Sequence, residues 1–224
     1  METFGDQQSF YAAGKPFVAT WIITVAQTRT DGTKLAPAES LLKIARDSSG
    51  KVYSVQQNRQ QDGTLFRFFS VDDPVIGTRY TWTEQTNVVS VFHYPGVNSR
   101  EMQERLRKLP WAMEIWTVPL CVTFGPDSAY DRSEFSIQSL GTSQVLGIDA
   151  RGVLGTRNAD PITEERWYSP DLQIALTTRV NDSRTGTSVM ELKSLERVEP
   201  DPILFQFPSG YEIADSASPH GGDR

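Results

Sequence analysis

Short segments that alternate apolar and polar residues fill residues 17–94. Six such segments are present, at residues 17–29, 40–46, 51–59, 64–71, 78–84 and 88–94. Because the side chains of a strand point alternately to its two faces, a period of two predicts strands with one apolar face. Turn-forming pairs such as Asp31-Gly32 and Asp62-Gly63 separate the segments. The pattern therefore predicts consecutive hairpins and not βαβ units.

Past the sixth segment the period changes to that of a helix. Ser99 is a suitable N-cap, and apolar residues then recur at helical spacing as far as Leu109, which Pro110 follows. The next residues, 109–124, are rich in apolar side chains but too few to span a membrane. We expect a short helix at residues 99–109, followed by an apolar segment that serves as a core strand or covers a sheet face.

The strand pattern returns in the C-terminal half of the chain. Five further strands are predicted, at residues 134–140, 144–154, 162–168, 172–180 and 187–198. About eleven strands and one clear helix favour a mainly β (α+β) fold, built as a single curved antiparallel sheet or half-barrel. No linker divides the chain, so we expect one domain over residues 15–213, with flexible segments at 1–14 and 214–224.

Composition and charge narrow the class of partner. Hydrophobic residues at 38% and charged residues at 22% describe a globular chain that can bury a sizeable core. The net charge of −6, with Lys and Arg scattered along the chain, leaves no basic stripe for a phosphate backbone, so no nucleic-acid partner is expected. No apolar run approaches the ~20 residues of a transmembrane helix, and no signal peptide opens the sequence. The protein is thus expected to be cytosolic, or exported and here without its signal.

Catalytic and metal-binding side chains are scarce. The two histidines are His93 and His220, and His220 falls in the tail, so a Ser-His-Asp or Cys-His site would depend on His93. His93 lies in a predicted strand, where a packing role is the commoner one. With Cys121 as the one cysteine, no usual zinc ligand set is offered, and we expect no metal, no cofactor and no enzymatic activity. A hydrolase stays as the weakest alternative.

Paired acids and an arginine are the remaining polar candidates. Asp72 and Asp73 are expected to shape a turn. Glu164 and Glu165 are neighbours in a predicted strand, whose alternation sends them to opposite faces, so they cannot act as a catalytic acid and base together. Arg166 could bind an anion, but a cross-strand ion pair with an acid is the favoured interpretation.

Tryptophan is frequent for a chain of this length. The five residues are candidates for lining an apolar ligand pocket, with core packing as the default alternative: Trp21, Trp82, Trp111, Trp116 and Trp167. The segment at residues 109–124 contains two of them. Such an apolar segment cannot remain in water without exposing a large apolar patch, so it is expected to contact the sheet, a ligand or a partner.

Several stretches carry a resemblance to a known group of proteins. They lie in the C-terminal third, at Glu165–Gln173, Asn181–Gly186 and Glu199–Tyr211, and earlier at Pro16-Phe17, Ile44–Gly50 and Asp73–Tyr80. These stretches resemble a largely uncharacterised group of exported proteins abundant in Acidobacteria, over residues 15–213. More distantly, the order of strands, which ends in an acidic-proline turn and a Phe-x-x-Pro-x-x-Tyr closing strand, looks like the periplasmic lipoprotein-carrier (LolA-like) superfamily.

The resemblance implies a location, a fold and a ligand class. It implies export to the periplasm or beyond, and a curved antiparallel sheet over helices whose better-known examples hold acyl chains on the concave face. Our leading hypothesis is therefore a non-catalytic extracytoplasmic binding module for an apolar small molecule or lipid. The alternative is an accessory or structural subunit that docks on a protein partner in the cell envelope.

Overall fold

Twelve strands make up the fold in the computed structural model, which describes residues 13–94 apart from 30 and 61, residues 96 and 98, and residues 135–157 and 162–216. The strands are β1 (Phe17–Gln27), β2 (Ala38–Arg46), β3 (Val52–Arg59), β4 (Leu65–Asp73), β5 (Thr78–Thr83), β6 (Val88–His93), β7 (Phe135–Val145), β8 (Ile148–Arg157), β9 (Ile162–Ser169), β10 (Ile174–Asp182), β11 (Gly186–Glu196) and β12 (Glu212–Ser216). They are hydrogen-bonded in the order β12-β6-β5-β4-β3-β2-β1-β11-β10-β9-β8-β7. The prediction of a mainly β fold built on one largely antiparallel sheet is confirmed.

Several predicted features lie outside the described residues. They are the helix at 99–109, the apolar segment at 109–124, and the side chains of Trp111, Trp116, Cys121 and His220. Most of the predicted flexible N-terminal segment lies outside them as well. These predictions stay predictions.

The hairpin of β7 and β8 differs from the sequence prediction. The break expected at residues 141–143 is wrong, because Gly141 lies inside β7, where the register shifts between Ser139 and Gly141 and a φ of 84° marks a bulge. The turn lies instead at Leu146 and Gly147, whose φ values of 50° and 75° suit a two-residue hairpin turn. Leucine rarely adopts a positive φ, so only Gly147 of these two residues is of a type that predicts such a turn.

The twelfth strand lies beyond the expected closing strand at residues 205–211, which the structure does not form as a strand. Residues Glu212–Ser216 pair in parallel with β6, with Ile213 opposite Val89, so the strand extends past the expected start of the tail at residue 214. A 3₁₀ helix at Pro202–Phe205 precedes it, and the Asp201 carboxylate caps that helix by accepting a hydrogen bond from the Ile203 N–H at 3.0 Å. Among the strand pairs whose register the structure describes, β12 and β6 are thus the parallel pair and the others are antiparallel.

Contacts divide the chain into two compact units. Unit 1 draws its described residues from 21–39 and 109–193, and unit 2 from 11–20, 40–108 and 194–224. Each unit thus combines stretches that are distant in sequence. Unit 1 contains β8, β9 and β10, and unit 2 contains β3 to β6 together with the 3₁₀ helix and β12.

Unit 2 has a filled apolar core on one face of its strands. The buried residues of this core are Ala45, Tyr53, Val71, Trp82 and Val89. Residues of the C-terminal segment pack against them, namely Leu204, Phe205, Phe207 and Tyr211. The Trp82 ring stacks on Phe69 with 5.3 Å between centroids, and the Tyr80 ring lies 5.4 Å from that of Phe207. This face of unit 2 is closed by the protein's own C-terminal segment.

Candidate functional site

The central strand of unit 1, β9, separates a buried face from a more exposed one. Ile162, Glu164, Arg166 and Tyr168 are buried, while the residues between them are only partly buried. Alternation of this kind is what the sequence predicted for the strand. The unexpected finding is that two of the four buried side chains are of charged residue types. Glu164 is 6% exposed and Arg166 is 2% exposed.

The buried side chains of Glu164 and Arg166 form an ion pair with each other. Arg166 Nη2 donates to Glu164 Oε1, two residues back along the same face of β9. The ion-pair interpretation of Arg166 is thus correct, but the pair lies within one strand and not across two. Removing two charges from water costs several kcal/mol per ion, and their attraction often does no more than offset that cost.

Thr178 on β10 adds a third polar group. It is the register partner of Arg166 and is 2% exposed. Its buried Oγ1 has no hydrogen-bond partner among the residues that the structure describes. A buried hydroxyl without a partner costs about 1 to 3 kcal/mol, so it indicates a group that a ligand could satisfy. We call Glu164, Arg166 and Thr178 the Arg166 cluster.

The surroundings of the Arg166 cluster on neighbouring strands are apolar. On β8, Val153 lies opposite Arg166 and Gly155 lies opposite Glu164. On β10, Val180 lies opposite Glu164. Burial in this setting raises the pKa of Glu164, although the Arg166 guanidinium acts to lower it. The arrangement combines an apolar surface with one cation, one titratable carboxyl group and one free hydroxyl.

The opposite face of β9 carries Glu165 and Trp167. The Trp167 Nε1 donates to Glu165 Oε1 at 2.7 Å, and the indole lies over Gly152, where any added Cβ would approach the ring to 2.7 Å. Glu164 and Glu165 therefore do lie on opposite faces, as their adjacency in a strand required. Trp167 is also on the face away from the Arg166 cluster.

The other described tryptophans are packed in cores. Trp21, in unit 1, is 1% exposed and donates its Nε1 hydrogen to the Ala175 carbonyl oxygen at 3.2 Å. Trp82 belongs to the filled core of unit 2. Trp111 and Trp116 lie outside the described residues. A pocket lined by tryptophans stays a prediction, and the described members contribute packing and hydrogen bonds where they stand.

The histidine that a hydrolytic site would need lies in an exposed position. His93 Nδ1 is 3.4 Å from the Thr78 hydroxyl, and His93 Nε2 is 3.3 Å from Asp215 Oδ1 on β12. The first distance is long for a hydrogen bond. Thr78 is buried, which leaves its hydroxyl poorly placed to meet a substrate. The described geometry supports a role for His93 in linking β12 to the sheet.

A second polar cluster, in unit 2, escaped the sequence reasoning. Asp73 shapes the turn as expected, since its Oδ1 accepts from the backbone N–H groups of Val75 and Ile76 at 3.2 and 3.3 Å. Asp72 instead accepts from Arg79 Nη2 at 2.5 Å and from the Tyr94 hydroxyl. Burial and the Asp72 charge raise the pKa of Tyr94 well above its usual range. Asp72 thus joins Arg79 and Tyr94 in one hydrogen-bonded group, although the buried Nε of Arg79 has no hydrogen-bond partner among the described residues.

The described part of the chain contains neither a metal-binding group of side chains nor a membrane-spanning helix. No group of three or more His, Cys, Asp or Glu residues there could hold a metal ion together. No helix among the same residues is both long and apolar enough to cross a bilayer.

Comparisons with known proteins define the fold class. No protein-family model matches the chain, and no curated protein matches it. An uncharacterised conserved protein of Thermus thermophilus is similar in structure with a TM-score of 0.50 and 10% identity, over 91% of each chain. At this identity the likeness is one of fold. The chain thus has a sheet architecture that also occurs in a bacterial protein of similar length.

Two further structures share less of the geometry. MucB, in the MucA/MucB complex of Pseudomonas aeruginosa, matches with a TM-score of 0.48 and 13% identity, over 93% of this chain and 60% of that chain. A candidate outer-membrane lipoprotein-sorting domain of Vibrio parahaemolyticus matches with a TM-score of 0.35 and 9% identity, over 89% and 92%. This chain therefore spans about three fifths of the length of the MucB chain.

Proposed function

We propose that this protein is a non-catalytic binding module that holds an amphipathic molecule against the buried face of β8, β9 and β10. The apolar chain of that molecule packs on side chains such as Val153 and Val180, and its polar head meets the Arg166 cluster. The observation that carries the proposal is the Glu164–Arg166 pair, buried on an apolar face beside the unpartnered hydroxyl of Thr178.

The energetics of this face support the proposal. Apolar side chains of similar volume would stabilise such a position as well as a buried ion pair does, or better. A hydroxyl without a partner adds a further cost. Three polar groups on one buried face are therefore poorly explained by stability, whereas a ligand with a polar head gives the Thr178 hydroxyl a partner.

The resemblance to exported carriers supports an extracytoplasmic location for this activity. It supports the periplasm or the cell exterior, and a ligand of the lipid type. Because the described residues place no side chain with catalytic geometry near the Arg166 cluster, the proposed role is to hold the ligand without changing it.

A protein-docking role is the second candidate. It is favoured by β12, which ends the hydrogen-bonded strand order and leaves Ile213 57% exposed. An edge strand with an exposed apolar side chain can pair with an extended segment of a protein partner. In this case the protein is an accessory subunit of a cell-envelope complex.

Fluorescence of the neutral probe N-phenyl-1-naphthylamine tests the binding function. The probe should bind the wild-type protein saturably, with a rise in fluorescence as it leaves water. Val153→Phe, on the buried face, should weaken this binding by about tenfold or more, since one added ring overfills the face. Leu154→Phe, one residue along on the other face of β8, is the matched control and should bind as wild type. If wild type takes up no probe, or if both variants bind equally, the proposal is wrong.

A further inference from the structure

We propose that the polar head recognised at the Arg166 cluster is a single carboxylate, which binds Arg166 and Thr178 and leaves Glu164 protonated. This inference rests on the proposed function, because it assigns the chemical class of the same ligand. The ligand is thus a fatty-acid-like molecule, and its binding takes up one proton.

The charge of the site favours a monoanion. Among the described residues of β8 and β10 that flank the cluster, Val153, Gly155, Thr178 and Val180 carry no charge. Arg151, farther along β8, is exposed to solvent, and the next charged residues along this face, Arg157 on β8 and Asp182 on β10, are only partly buried. One buried guanidinium can neutralise one negative charge, whereas a phosphate dianion would need a second cation in this apolar setting.

The geometry of the donors suits a carboxylate. The planar guanidinium of Arg166 presents donors in a fixed fork, and the Thr178 hydroxyl lies on the paired strand of the same face. A carboxylate has two oxygens that can accept from two directions at once. One oxygen can accept from Arg166 while the other accepts from Thr178 Oγ1, which otherwise lacks a partner among the described residues.

Proton uptake follows from the competition between two carboxyl groups for one cation. Glu164 already accepts from Arg166, so an incoming carboxylate places two negative groups beside one guanidinium. Two carboxylates that share a buried site cannot both remain ionised, and one of them takes a proton. Burial has already raised the pKa of Glu164, which makes it the acceptor. Binding therefore takes up one ligand carboxylate and one proton from solvent, and no other bond is made or broken.

Displacement of N-phenyl-1-naphthylamine by three ligands with the same tail tests the head-group assignment. Dodecanoate should displace the probe at least about tenfold more tightly than dodecanol or dodecyltrimethylammonium, because only the carboxylate gains a charged hydrogen bond to Arg166. Thr178→Val preserves the shape of the side chain and should reduce this preference, because one carboxylate oxygen then loses its donor. Equal affinity of the three ligands, or the tightest binding by the cation, would overturn the inference.

The pH dependence of displacement tests the role of Glu164. As the pH rises above the pKa of Glu164 in the free protein, the affinity of wild type for dodecanoate should fall by up to about tenfold per pH unit, as expected for uptake of one proton. In Glu164→Gln it should be flat, because no protein carboxyl group then competes. A slope kept in Glu164→Gln would mean that the ligand itself carries the proton, and this result contradicts the inference. Failure of wild type to take up the neutral probe contradicts the proposed function instead.

Discussion

The indole Nε1 of Trp21 donates a hydrogen bond to the carbonyl oxygen of Ala175 at 3.2 Å. Ala175 lies at a bulge in β10, where the register with β9 shifts between Ala175 and Thr177. A bulge interrupts the ladder of backbone hydrogen bonds, and the indole supplies a donor at the interruption. A side chain that sequence reasoning assigned to packing or to a ligand pocket therefore also stabilises the backbone of unit 1.

Replacement of this donor should destabilise the protein. Trp21→Phe keeps an aromatic ring but removes the N–H, and we expect a loss of about 1 to 3 kcal/mol in the free energy of unfolding, measured with urea. The control is Trp167→Phe, which loses a hydrogen bond to the partly exposed Glu165 carboxylate that water can replace. Its cost should stay below about 1 kcal/mol. Equal costs for the two variants would contradict this account of Trp21.

Gly77 and Gly63 both have a positive φ, and replacement of Gly77 should destabilise the protein more. Gly77 has a φ of 71°, and a Cβ there would lie 1.9 Å from the Tyr94 carbonyl oxygen. Gly63 has a φ of 85° but no atom within 4 Å of the same position. Gly63→Ala should cost about 1 to 2 kcal/mol through backbone strain, and Gly77→Ala clearly more, because the clash adds to the strain.

Thermal unfolding of the two alanine variants measures this difference. A larger loss in melting temperature for Gly77→Ala is the expected result. Similar melting temperatures would show that the close approach of Tyr94 to the turn is not maintained in solution.

Leu146 should be a site where substitution stabilises the protein. Its φ of 50° is unfavourable for leucine, and its side chain is exposed. Leu146→Asn should raise the free energy of unfolding by about 0.5 to 1 kcal/mol, since asparagine tolerates this conformation and favours two-residue hairpin turns. Gly147→Ala, at the second position of the turn, should act in the opposite direction. A loss of stability in Leu146→Asn would place the turn elsewhere, for instance at the glycine of β7.

The fold was largely predictable, since eleven strands were expected close to where they occur. The errors have local causes. Gly141 has the appearance of a turn residue but serves a bulge, and Leu146 gives no turn signal although it occupies the turn. β12 was missed because Glu212–Ser216 offers one strong strand former, Ile213, and gains its strand conformation by pairing with β6.

The candidate site was predictable only in part. Alternation correctly sends Glu164 and Glu165 to opposite faces, but it does not reveal which face is buried. Arg166 was expected to pair with an acid, yet its burial depends on the packing of distant strands. Thr178 gave no signal, because a threonine in a strand is ordinary until the register places it beside Arg166.

The raised pKa of Glu164 predicts the direction in which stability changes with pH. The stabilising effect of a carboxyl group with a raised pKa is complete below its ordinary value of 4.5 and is lost as the pH rises through the folded-state value. Wild type should therefore lose stability relative to Glu164→Gln as the pH rises from about 4.5. Urea unfolding at several pH values measures the difference between the two proteins.

Glu191, whose side chain is about half exposed, provides a control in which stability should change with pH in the opposite direction. A hydrogen bond from Lys193 and its charge lower the pKa of Glu191, so this group contributes stability above its ordinary pKa and loses it as the pH falls. Wild type should gain stability relative to Glu191→Gln as the pH rises through the ordinary range of a glutamate. The same sign for both variants would contradict the burial of Glu164.

A crystal structure of the protein with a bromine-tagged long-chain carboxylate tests the central claim most directly. The account predicts an anomalous bromine signal along the buried face of β8, β9 and β10, and a carboxylate oxygen within about 2.7 to 3.2 Å of Thr178 Oγ1 or the Arg166 guanidinium. Bromine located elsewhere on the protein, or a buried face filled by protein side chains with no ligand at the Arg166 cluster, would contradict it.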